Sequence, residues 1–194
     1  MNKQIVLSEA FLLPYAALIL TRIFSSKIPF LSAVDIPVTA GLTYCFYLRF
    51  GGISPELSDA LKFFTNKKYL LGCVILLLIS LCVSAIGAVS FFSYLLLSGS
   101  FFSLFASFAA AAITIVLSVI QRLYSCAPEK GVKNAFFSFP GFLKMLPFGS
   151  ICCLMIFVIL SINSSRFPAA VRPLLTDIPL SAFIAYISRK YFDE

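Results

Sequence analysis

The chain has 194 residues, of which 60% are hydrophobic and only 12% charged, a balance far from that of an ordinary soluble domain. There is no His, which removes the commonest general base and metal ligand. The net charge of +7 comes from basic residues gathered between apolar runs, the signature of membrane topology rather than of nucleic-acid binding.

In chain order, the first apolar run, 5–24, contains Glu9 and Pro14. No small-residue cleavage motif follows it, so a retained helix is expected rather than a signal peptide. Four stronger runs follow, at 28–48, 69–92, 101–120 and 147–162. A last, weaker run at 167–187 contains Arg172 and Asp177. Each strong run approaches the roughly 20 residues that cross a bilayer core. The expected fold is all-α: a polytopic integral membrane helix bundle of about six transmembrane helices, forming one membrane domain over 1–194.

Between the runs lie two similar polar stretches. The first, 54–64, offers Ser54 as a cap, Pro55 in the first turn, and Leu57, Ala60, Leu61 and Phe64 on one apolar face. The second, 127–137, repeats the Pro-Glu start at Pro128-Glu129 and the Ala then Phe-Phe ending at Ala135–Phe137. Both are expected to be amphipathic helices in the inner interface. They connect spans, and they offer a surface to another membrane or cytoplasmic protein. Sorted by side, eleven Lys and Arg fall with these stretches and the two termini, and four fall opposite. The positive-inside rule then gives a multi-pass inner-membrane protein with both termini cytoplasmic and a short outward loop near Leu95–Ser100.

The two ends of the chain echo each other. Ser25-Ser26-Lys27-Ile28-Pro29 precedes Asp35-Ile36-Pro37, and Ser164-Ser165-Arg166-Phe167-Pro168 precedes Asp177-Ile178-Pro179. With the paired Pro-Glu stretches, this suggests three helix hairpins of one type. Asp followed by Pro marks a helix start, so helices are expected to begin at Asp35 and Asp177. Irregular backbone would then fill 28–34 and 167–176, within the outer leaflet. Interrupted helices at matching positions point to a transport site. The candidate site is Asp35, Asp177 and Arg172 near the outer face, with Thr39, Ser181, Tyr44 and Tyr186 deeper. The competing reading makes both Asp ordinary caps. On the central spans, stripes at Ser80/Ser84/Ala88 and Ala106/Ala110/Thr114 predict close helix packing.

The six cysteines form no C-x-x-C pair, and they read as packing residues with no metal site or cofactor implied. Cys126, beside a polar stretch, is the one candidate for lipidation. Walker, dinucleotide and zincin motifs are absent from the sequence. Neither Asp stands in the Gly-x-Gly-Asp setting of a two-aspartate intramembrane protease.

Gly51-Gly52-Ile53-Ser54-Pro55 with Ala60-Leu61, ahead of a Lys-rich span entry, resembles a group of bacterial six-helix membrane families. These include the membrane-anchor domains of glycerophosphodiester phosphodiesterases. The segment 128–138 resembles their second such element, and the likeness covers about 44–162. It implies a helical membrane fold and no catalytic residues. The expected function is non-enzymatic support of transport or envelope assembly in a bacterial inner membrane. Its expected partners are the lipid bilayer and another protein, not nucleic acid. The alternative is a small-solute permease using the Asp/Arg site.

Single cysteines introduced at Ser98 and Asn66 should label from opposite sides of the membrane with an impermeant maleimide. Labelling of both from one side contradicts this topology.

Overall fold

The computed structural model describes residues 9–24, 33–96, 101–146, 168 and 171–193. Its elements are α1 (Glu9–Phe24), α2 (Asp35–Phe50), α3 (Leu57–Thr65), α4 (Lys67–Leu96), α5 (Phe101–Cys126), a 3-10 turn (Pro128–Lys130), α6 (Gly131–Met145), α7 (Arg172–Leu175) and α8 (Asp177–Asp193). Among the described residues the fold is all-α. The expected span at 147–162 lies outside them.

Two helices, α4 of 30 residues and α5 of 26, are long and apolar enough to cross a membrane. The described residues of α1 and α2, 16 each, cover about 24 Å at the usual helical rise. The expectation of six full crossings therefore narrows to two such helices among the described residues.

α4 and α5 form an antiparallel hairpin. Near its base, Tyr124 of α5 closes against Gly72 of α4, where an added Cβ would sit 2.2 Å from the Tyr124 hydroxyl. Further out, a Cβ on Gly87 would come within 2.9 Å of the Ala110 Cβ. The Ser107 hydroxyl there donates to its own helix at Ser103 O, 2.9 Å away, and approaches Gly87 O at 3.5 Å.

The stripe predicted on α5 faces the partner, but the one predicted on α4 is rotated. Ser84 and Ala88 are exposed, whereas Leu76, Ser80, Val83, Gly87 and Ser90 are buried or half-buried. A residue every fourth position drifts about 40° around the helix at each step. Alternating steps of four and three keep a straight antiparallel seam.

At the hairpin base the remaining helices gather. α2 packs against α1, α3, α5 and α8. α1 runs antiparallel to it, with Phe11 against Phe46 at one end and Thr21 bonded to Asp35 at the other. α8 runs beside α2 in the same direction: Ile178 joins the Leu18–Val38–Leu42 cluster, and Tyr186 meets Phe50. Phe63, Tyr69 and Tyr124 fill the centre with tilted and edge-on rings 5.7 and 6.2 Å apart.

The first amphipathic helix starts later than expected and is turned. Glu56, not Ser54, caps α3, and the Asp59 carboxylate accepts the Glu56 N–H at 3.0 Å. Phe63 is fully buried and Phe64 is partly exposed. The reason is the close crossing on α2, where a Cβ on Gly41 would lie 2.1 Å from Ala60 O. That contact fixes the rotation of α3 and turns Phe63 inward. The second stretch opens as the 3-10 turn and becomes α6 at Gly131, whose φ of 81° suits glycine.

Overpacking the seam should cost about 1–3 kcal/mol. Gly87→Leu and Ala110→Phe should each lower the melting temperature in detergent, while Ala88→Leu should leave it unchanged. Equal effects at positions 87 and 88 would refute the rotated seam.

Candidate functional site

The last two turns of α5 carry the polar centre of the structure. The Gln121 side-chain amide donates to Ile36 O at 3.1 Å and to the Thr39 hydroxyl at 2.8 Å. The Thr39 hydroxyl in turn donates back to Asp35 O at 2.7 Å. The next residue, Arg122, turns to α8. Its Nη2 meets Asp177 Oδ1 at 3.2 Å and its Nε meets the Ser181 hydroxyl at 3.2 Å. Its Nη1 donates to Ser118 O at 3.1 Å and also to the Ser118 hydroxyl. The Arg122 and Asp177 side chains are only 4% and 11% exposed.

Thr39 and Ser181 each stand four residues after their Asp, one turn along. Two consecutive residues of α5 therefore grip equivalent positions on two parallel helices. Asp35 is held from the other side, where the Thr21 hydroxyl of α1 donates to its Oδ1.

Of the predicted residues, Asp35, Asp177, Thr39 and Ser181 are buried and stand around α5. The cation that the described residues bring to Asp177 is Arg122. The Arg172 backbone starts α7, and its side chain lies outside the description. Tyr44 lies away from the pair and accepts a bond from Lys62 at 3.2 Å. Tyr186 is exposed against Phe50. Asp35 is the first residue of α2, preceded by a 3-10 turn at Ala33 and Val34, rather than its cap.

The expected depth is also corrected. From Phe101 to Arg122 is about 31 Å along α5 at 1.5 Å per residue. Both carboxylates thus stand at the end of α5 remote from the 97–100 connection, not near it. An apolar run marks where a helix passes but not the level of its neighbour. The Arg122 charge sets the level of Asp177.

Gln121 and Arg122 are the functional residues that sequence reasoning passed over, because the apolar run ends at Ile120. The helix continues for six more residues, through the buried Leu123, Tyr124 and Cys126. That continued apolar pattern is the signal that could have placed the pair inside.

A second polar group closes the base. The Lys62 ammonium lies 4.9 Å from the Tyr44 ring centre and 5.7 Å from that of Tyr69. Burial works against this ammonium, but the Tyr44 hydrogen bond and the charges of Tyr44, Tyr69 and Asp59 outweigh it. Its pKa therefore stands above the ordinary lysine value, and it stays charged at physiological pH. Tyr69 reaches on to Glu129 at 3.4 Å, tying α3, α4 and the 3-10 turn together.

An apolar cavity of about 220 Å³ opens between α1, α2 and α3, lined by residues that include Pro14, Val38 and Phe64. The ion pair does not line it.

No protein family, curated protein or solved structure matches this chain. The chemistry must therefore be read from the geometry. The Asp177 carboxylate is bonded to the Arg122 guanidinium and the Asp35 carboxylate to the Thr21 hydroxyl, so each buried acid is held in place by a donor. No group of three or more His, Cys, Asp or Glu gathers as metal ligands among the described residues. Cys126 is 3% exposed, so the surface position expected of a lipidated cysteine is not found.

Arg122→Met removes the buried guanidinium from Asp177 and Ser181 and should cost about 3–5 kcal/mol. Gln121→Leu removes the two bonds that tie α5 to Ile36 O and Thr39 and should cost about 1–3 kcal/mol. Detergent unfolding monitored by circular dichroism measures both, and a neutral Arg122→Met would contradict the buried pair.

Proposed function

We propose that this chain is an integral membrane protein of a bacterial inner membrane and acts without catalysis, supporting transport or envelope assembly. The observation that carries the membrane reading is the outer surface of the α4–α5 hairpin. Leu78, Leu81, Ile86, Val89, Phe92, Leu96, Phe101, Phe105 and Phe108 are all more than half exposed. The core helix of a soluble protein buries such side chains, and an exposed apolar surface of this extent calls for lipid or a partner.

The non-enzymatic reading is supported by how the polar groups are used. Arg122, Asp177, Ser181, Gln121, Thr39 and Thr21 bond one another across helix boundaries. They act as joints of the bundle. The resemblance of 44–162 to membrane-anchor domains points the same way.

A permease is the second reading. It is favoured by one observation, that Gln121 and the buried Arg122–Asp177 pair join a helix long and apolar enough to span a membrane to two equivalent helix starts, the setting in which intramembrane charges serve solutes. The double variant Arg122→Met/Asp177→Leu separates the two. It removes both charges together and leaves neither ion buried without the other, so a structural joint tolerates it. Complementation of a deletion strain by this folded variant supports the structural role. Loss of complementation with folding intact supports the permease.

Cys82 provides the direct membrane test, since it is exposed midway along α4. In native membranes it should resist a charged maleimide, and it should react once the protein is unfolded in dodecyl sulfate. Ready reaction in the folded, membrane-associated state would place this face in water and overturn the membrane reading.

A further inference from the structure

The basic side chains at the hairpin base stand where exposed apolar surface begins. Lys67 and Lys68 are exposed at the start of α4, and Leu71, one turn on, is 60% exposed. Lys133 is exposed on α6 and lies 5.8 Å from the ring centre of Phe137, itself 72% exposed. The bond from Tyr69 to Glu129 brings the two beginnings together, and α4 packs against both the 3-10 turn and α6. On each element an ammonium is thus followed within about a turn by an apolar side chain facing outward. Glu129 is the acidic residue of this patch, and it leaves the patch net positive.

We propose that this junction of α4 and α6 holds the phosphate headgroup of an anionic phospholipid, with the acyl chains lying along the exposed face beyond Lys67 and Lys68. The inference rests on the membrane reading above. The order of charge then hydrocarbon matches a lipid from headgroup to tail. A free anion would need only the charges and would gain nothing from Leu71 or Phe137. Three lysines on two adjoining elements also localise the attraction more than a single charge at a span end does.

The full chain, reconstituted in phosphatidylcholine vesicles with trace spin-labelled lipids, provides the test. Labelled phosphatidylglycerol should associate at least about fivefold more strongly than labelled phosphatidylcholine, the factor one lysine near an anionic surface supplies. Lys67→Gln/Lys68→Gln/Lys133→Gln should abolish that preference. Arg49→Gln/Lys144→Gln/Lys190→Gln, which removes the same charge elsewhere, should retain it. Equal association of both lipids with the unsubstituted chain overturns the proposal, as does a preference lost equally in both variants. Displacement of phosphatidylglycerol by inorganic phosphate, but not by chloride at equal ionic strength, overturns it in favour of a free-phosphate site. Failure of the chain to enter vesicles at all would instead defeat the membrane reading, which separates the two outcomes.

Discussion

The buried bond between Arg122 and Asp177 is the constraint on which the arrangement of the helices turns. A guanidinium with 4% of its surface exposed is costly unless its donors are used. Three of its nitrogens find oxygen on Asp177, Ser181 and Ser118. Meeting that demand draws the start of α8 to the end of α5. Gln121, the residue before it, draws the start of α2 to the same level. Since α2 and α8 then lie parallel, Phe50 meets Tyr186, and the Arg189 guanidinium lies 5.1 Å from the Tyr47 ring centre at their far ends. The remaining contacts follow from this pairing: α1 covers α2, α3 tucks against Gly41, and α6 closes on the core through its own Ala135 and Phe142.

The same logic divides the molecule into two regions with different chemistry. Around the last turns of α5, polar groups are buried and bonded to one another. Beyond Ser118, the hairpin buries only its seam and turns Leu, Ile, Val and Phe outward. Water disfavours the second region and hydrocarbon disfavours unpaired groups of the first kind. A chain with both features suits a membrane boundary, with the polar joints sealed inside the bundle.

Much of this was legible from the residues, and the failures have definite causes. The two long helices stood out because their apolar runs exceed what a soluble core helix needs. The Asp-Ile-Pro echo located the starts of α2 and α8 to the residue, because Pro at the third position fits a first turn and nothing later. It also placed Thr39 and Ser181 at matching sites. Arg122 was passed over because hydropathy ends a span at the first strong polar residue, and Gln121-Arg122 looks like an exit. Only the partner across the bundle shows that the helix continues inward. Of the stripe expected on α4 only Ser80 lies on the seam, which continues through Val83, Gly87 and Ser90 and leaves Ser84 and Ala88 outside. Phe64 was chosen over Phe63 because periodicity alone cannot fix the rotation that the Gly41–Ala60 contact imposes.

Hydrogen–deuterium exchange on the purified chain in detergent addresses the central claim most directly, comparing Arg122→Met with Gln121→Leu. If α5 holds two helices through two separate grips, Arg122→Met should speed exchange in the first turns of α8 and leave α2 slow. Gln121→Leu should do the reverse. Uniform acceleration of both helices in either variant, or none in both, would contradict an account in which consecutive residues of one helix each position a different neighbour.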